Sequence, residues 1–266
     1  MASSLLPDIA VTMPSVPQPL SSWPEHLQAS WLRCAHQTSA TLWHPPHSAK
    51  GQTLQSLRQR KRDLLTTGEM ALEDLYEFME GRPCALLLTD ESGCLLAQTG
   101  HPDTLHELAA LGFGPGAFFS EGRIGTNAIN LAALEGVPLC VSGPQHFNQT
   151  LHPWHSCASP VYNSNGRQVA IMALVCRVEE ATVGDLALTV SAGRELAHLL
   201  QMERLMQESQ HHLSELYALL DGMDDGVLAW DPQGRLRYLN ALAARRLRLD
   251  PDLCLGQPLE QHLLLP

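Results

Sequence analysis

The chain has 266 residues and carries 28 Asp and Glu against 17 Lys and Arg, a formal charge of −11. That balance argues against nucleic-acid binding by this chain, because phosphate contacts need clustered cations. Apolar residues make up 44% and charged residues 17%. No run of about 18 apolar residues and no basic-then-apolar leader occurs, so neither a membrane span nor a secretory signal is expected.

In chain order, residues 1–21 are rich in Pro and Ser without periodicity and are expected to be disordered. Ser22-Trp23-Pro24-Glu25 reads as a capping box opening a helix with Leu27, Trp31 and Cys34 on one face. A second helix is expected from about Thr53 to Met79, with Arg58, Arg60, Lys61 and Arg62 as a solvated face. These helices form a segment over 22–80.

From 81 to 184 the period changes. Cys84–Thr89 and Cys94–Thr99 read as a hairpin around Gly93. Pairing Cys94 with Thr89 and Cys84 with Thr99 would hold the two thiols about 16 Å apart, too far to bridge. A helix over Pro102–Leu111 follows, and then a Gly-rich loop leads into Glu121-Gly122-Arg123-Ile124-Gly125-Thr126-Asn127-Ala128. Thr126 is placed as the cap of a helix reaching Ala133. Strand Pro138–Val141, a short helix near Gln145–Leu151, and a hairpin of Cys157–Tyr162 with Gln168–Val175 complete an antiparallel α+β domain.

One helix then spans 185–223. Leu199, Met202, Met206, Leu213, Leu216 and Leu220 lie on a stripe of period 3.5 that Ser209 interrupts. A seam of about five heptads calls for a partner helix, and at about 1.5 Å per residue the segment is roughly 55–60 Å long. A homodimer paired along this stripe is therefore expected. Over 224–266 strand character resumes. Asp225-Gly226 precedes Val227–Trp230, Asp231-Pro232-Gln233-Gly234 makes a turn, and Asn240 follows Leu236–Leu239 as the cap of helix Ala241–Leu247.

Catalytic signatures are absent. Gly122-x-x-Gly125-Thr126 lacks the Lys of a P-loop, and no nucleophile elbow appears. His146, His152, His155 and Cys157 are close enough in sequence to weigh as a metal site. No fourth ligand is apparent, and no metal is assigned. Seven cysteines, an odd number without C-x-x-C, suit buried free thiols in a reducing compartment. A reactive Cys is harder to exclude, since its pKa is not legible in sequence.

Ser30-Trp31-x-Arg33-Cys34, Ala71-Leu72-Glu73-Asp74, Glu121-Gly122-x-Ile124-Gly125-Thr126-Asn127-Ala128, Gln145-His146-Phe147, Trp154-x-x-Cys157-x-x-Pro160 and Met223-Asp224-Asp225-Gly226-Val227 form a set. Together they resemble the N-terminal GAF sensor region of sigma-54-type bacterial enhancer-binding activators, most of all the DhaR-type regulators of dihydroxyacetone kinase operons. Asp225-Gly226-Val227, Asp231-x-x-Gly234 and Tyr238-x-Asn240 resemble the opening half of a PAS domain. The resemblance implies a cytoplasmic sensory region made of a GAF-like domain, a connecting helix and an incomplete PAS-like unit. It implies signalling by contact with dihydroxyacetone kinase subunits, and no cofactor. ATPase and DNA-binding motifs are missing from the sequence, as expected of a regulator's front end or a truncated product. Two other readings are a GAF-fold thiol enzyme like the methionine sulfoxide reductases and a sensor of small molecules alone.

Overall fold

A computed structural model describes residues 20–258. Positions 1–19, where disorder is expected, and 259–266 lie outside the described residues. Contacts divide the chain into two compact units, Met1–Gln201 and Met202–Pro266.

The first unit opens with α1 (Glu25–Gln37), α2 (Gly51–Arg60) and α3 (Arg62–Phe78). Leu20–Ser22 is a 3-10 turn, Trp23 is buried in the core, and Pro24 holds the cap position of α1. The single helix expected over Thr53–Met79 breaks at Lys61. Only the part beyond the break buries side chains (Leu64, Leu65, Leu72), so α3 follows the sheet while α2 remains solvated. The basic cluster at the break meets acids at the surface, Arg58 with Glu69 at 3.2 Å and Lys61 with Glu91 at 2.5 Å.

Then come β1 (Cys84–Asp90), β2 (Leu95–Gly100), α4 (Pro102–Ala110), α5 (Glu121–Ile124), α6 (Ala128–Glu135), β3 (Leu139–Ser142), β4 (Trp154–Tyr162) and β5 (Gln168–Arg177). The helix expected near Gln145–Leu151 is two 3-10 turns instead. The strands form one antiparallel sheet in the order β2-β1-β5-β4-β3. Within the first hairpin Leu86 rather than Cys84 faces Thr99, and Leu95 rather than Cys94 faces Thr89, with an irregularity between Leu88 and Thr89. Asp90 explains the slip. Its Oδ1 accepts from the N–H groups of Ser92 and Cys94, which closes the turn and removes Cys94 from the ladder.

Strands β1 and β5 are buried along nearly their whole length because both faces of the sheet are covered. Ala85, Leu87, Ala173 and Val175 face one core with α1 and α6, where Trp31 packs edge-on against Trp23 and Phe147. Leu86, Leu88, Met172 and Leu174 face a second core with α3 and Leu196 of α7 (Asp185–Asp221). The long helix therefore begins as a cover for the sheet. Burial follows Asp185, Thr189, Gly193 and Leu196, one turn apart along one face.

The second unit takes the later part of α7, then β6 (Leu228–Trp230), β7 (Leu236–Leu239), α8 (Ala241–Leu247) and α9 (Pro251–Cys254). Its small core is Leu236, Leu239, Ala243 and Cys254. Asn240, fully buried, ties it together. Its amide donates to Leu220 O at 2.9 Å and Asp225 O at 2.8 Å, while its Oδ1 accepts from Val227 N at 3.0 Å and Ala243 N at 2.8 Å. Tyr217 stacks on Tyr238 nearby at 5.0 Å.

Asn240→Ala removes a helix cap and orphans backbone groups on both sides, at a cost of about 2 kcal/mol or more to this unit. Hydrogen exchange should quicken at Val227 and Ala243 and not at Leu174. Unchanged protection at Val227 would contradict this role.

Candidate functional site

The two motif segments separated by about ninety residues of chain meet in a buried polar joint. Glu121 sits in the first turn of α5 and is only 7% exposed, so its carboxylate needs partners. Arg33 supplies a two-pronged pair, Nε to Oε2 at 2.8 Å and Nη2 to Oε1 at 2.9 Å, and Ser30 donates to Oε1 at 2.6 Å. That uses the Ser30 proton, so the Thr126 hydroxyl, 2.7 Å away, donates to Ser30. The hydrogen bond to Glu121 raises the Arg33 pKa against the opposing effect of burial.

Thr126 is thus spent on the joint, and Asn127 caps α6 in its place, accepting from Asn130 N at 2.9 Å. Gly125 permits the turn between them. Its φ is 82°, and a Cβ there would lie 3.0 Å from Phe147 Cβ. A Cβ on Gly122 would meet Gln37 Oε1 at 3.0 Å, so this glycine is pressed against α1. Glu121, Gly122, Gly125, Thr126 and Asn127 fasten α1 to the body; their polar atoms are turned inward to one another.

Behind the joint, Phe113, Phe119, Ile124, His146 and Trp154 line the interior of the first core. They leave about 30 Å³, room for about one water, against the several hundred Å³ of a typical small-molecule pocket. His146 is buried there, and burial depresses its pKa to about 4, so it is neutral near neutral pH.

A second polar cluster marks the start of α7. Arg82, just before β1, grips Asp185 with Nη1 to Oδ1 at 2.6 Å and Nη2 to Oδ2 at 2.9 Å. Thr182 N adds a bond to Oδ2 at 3.0 Å. Burial would raise the Asp185 pKa, but the bonds from Arg82 and Thr182 overcome it and hold the carboxyl below its usual value. His155 Nε2 lies 3.7 Å from Asp185 Oδ2 and 3.2 Å from Cys157 Sγ. His152 is turned away, with Nε2 3.2 Å from His146 O.

Sequence reading expects mostly free thiols and identifies no bridge, yet Cys140 and Cys157 are bridged. The β3–β4 register sets them directly opposite each other with Cα atoms 4.0 Å apart. The separation of 17 residues hid this, because two 3-10 turns lie between the strands. Cys34, Cys84, Cys94, Cys176 and Cys254 are free and buried. Burial raises Cys34 and Cys84 to about 11, and Cys94 and Cys176 to about 12. Such thiols are protonated and poor nucleophiles near neutral pH.

Along α7 the expected stripe is open to solvent. Leu199 is 38% exposed, Met202 and Met206 61%, Leu213 48% and Leu216 55%, and Leu220 is half-buried. Leu205, Tyr217 and Leu219 are also exposed, off the seam. The motif residues of the second unit have local roles. Asp225 O accepts from Asn240, Gly226 lies against Ala243, and Asp231 Oδ1 accepts from Gln233 N and Arg235 N in the β6–β7 turn, where Gly234 has φ 76°. Among the described residues, no helix is long and apolar enough to cross a membrane.

The GAF domain family matches residues 63–206, more than half of the chain, and the PAS fold matches residues 214–264. The chain is 46% identical over 237 residues to the glycerol metabolism operon regulatory protein of Citrobacter freundii. It is 45% identical over 240 residues to the PTS-dependent dihydroxyacetone kinase operon regulatory protein of Escherichia coli strain K12. These matches take in 89% and 90% of this chain but only 37% and 38% of those proteins. A chain in the crystal structure of the E. coli DhaR(N)-DhaL complex superposes with a TM-score of 0.81 at 44% identity, covering 91% of this chain and 84% of that one. The acetoin dehydrogenase operon transcriptional activator AcoR of Bacillus subtilis strain 168 is 28% identical over 204 residues, 70% of this chain and 34% of that protein. The chain belongs to the GAF-domain family, in the group that includes the DhaR N-terminal region, with a PAS-fold segment after its long helix.

Proposed function

We propose that this chain is the sensory and partner-binding region of a regulator of dihydroxyacetone or glycerol metabolism genes, and that its signal is a protein. The closed interior carries this reading. Among the described residues the interior of the first core leaves about 30 Å³, room for about one water, which favours a signal that arrives on the surface of the unit. A dihydroxyacetone kinase subunit of the DhaL kind is the partner favoured by the 44% identity to a chain of the DhaR(N)-DhaL complex. The region is read as performing no chemistry of its own, in line with the regulators it resembles.

Relay runs along α7. The exposed stripe from Leu199 to Leu220 pairs with the same stripe of a second copy, giving a homodimer in which the helices pass the docking signal to effector domains in the rest of the regulator. The seam is built for modest stability, with two Met and a Ser among its Leu positions. A partner that favours one seam arrangement by a few kcal/mol is enough to shift its population. The domain limits that go with this reading are helices over 22–80, the GAF-like sensor over 81–184, the signalling helix over 185–223 and the partial PAS unit over 224–266.

Two measurements test these statements separately. Isothermal titration of this chain with DhaL should give saturable binding, while dihydroxyacetone alone should leave the melting temperature unchanged. A ligand-induced rise without DhaL would make the chain a metabolite sensor. For the seam, Leu213→Ala with Leu216→Ala should convert dimers to monomers in light scattering with the fold retained. An unchanged dimer mass would refute the pairing along this stripe.

A further inference from the structure

We propose that the chain, with its Cys140–Cys157 bridge reduced, holds one zinc-class divalent ion on Cys140, Cys157 and His155, at the face of the sheet that α7 covers. The geometry begins with the sheet register. Cys140 on β3 and Cys157 on β4 are opposed, and His155 lies two residues along β4 on the same face. One ligand atom from each of the three lies within 4.8 Å of the others. Two thiolates and an imidazole make the donor set that zinc takes in tetrahedral sites, where metal–sulfur and metal–nitrogen bonds of about 2.3 and 2.1 Å set ligand atoms roughly 3.5 Å apart. His155 Nε2 and Cys157 Sγ are already 3.2 Å apart.

His155 is about nine-tenths buried, and the nitrogen that faces the sulfurs, Nε2, has beside it only Cys157 Sγ at 3.2 Å and an Asp185 oxygen at 3.7 Å among the described residues, which leaves it available to an ion. The fourth position is left to water, since Arg82 and Thr182 hold both Asp185 oxygens. Cys140 is only half-buried and sits on the edge strand, which gives the ion a path from solvent.

Bridge and ion exclude each other, since both use the same two sulfurs. Reduction by a phosphine breaks the S–S bond, oxidises the phosphine to its oxide with water as the oxygen source, and leaves two thiols. The ion then displaces the two thiol protons. His155 lies 3.7 Å from Asp185, the first residue of α7, so an occupied site would sit beside the root of that helix.

The test is a cobalt(II) titration of the phosphine-reduced full chain. One equivalent should produce thiolate-to-cobalt charge transfer and the visible bands of tetrahedral cobalt, and zinc should displace it. Cys140→Ser and His155→Ala should each weaken binding at least ~10-fold, the lower end for disturbing such a site, whereas Cys94→Ala should not. The bridged chain should bind none. A reduced chain without the tetrahedral spectrum, or a Cys140→Ser chain that binds as well as the parent, overturns the proposal. If a variant fails to fold by circular dichroism, alkylation of the reduced parent decides: zinc must protect the half-buried Cys140, and equal labelling of Cys140 with and without zinc overturns the site.

Discussion

The constraint on which the first unit depends is that its sheet is apolar on both faces. Cys84, Leu86 and Leu88 point one way from β1 and Ala85 and Leu87 the other, so neither face can be left to water. One cover comes from α1 and α6 and the other from α3 and the first turns of α7. The second requirement makes the long helix part of the domain. The Arg82–Asp185 pair fixes where that helix begins, with a cation from the start of the sheet on an acid at the first residue of the helix.

Filling the first core so completely redirects the unit's use. Aromatic and branched side chains fill most of the interior, and Glu121 and Thr126 spend their polar groups on α1 while Asn127 caps α6. Along α7, by contrast, Leu199, Met202, Met206, Leu213 and Leu216 are exposed.

Much of this was legible in the sequence because it rests on local rules. The limits of the long helix, the second hairpin, the turn at Asp231 and the cap at Asn240 follow from periodicity and from side chains that bond their own neighbours. What was not legible depends on distant partners. Thr126 is a good cap by itself and loses that role only because Ser30 reaches it from α1. The helix over Thr53–Met79 looks continuous until the sheet takes one half of it. Cys140 meets Cys157 through a strand register that spacing does not encode, and so His155 gains a neighbour invisible in the linear pattern.

Asn240 carries a further implication. A hydrogen bond weakens within a few tenths of an ångström of stretch, and this one side chain holds the last turn of α7, the loop after it, the strand edge and the next helix at once. Those four pieces cannot slide past one another without breaking it. The last turn of α7 and the start of the PAS-fold segment are therefore one mechanical block, hinged nowhere between Leu220 and Ala243 without the loss of this side chain's bonds.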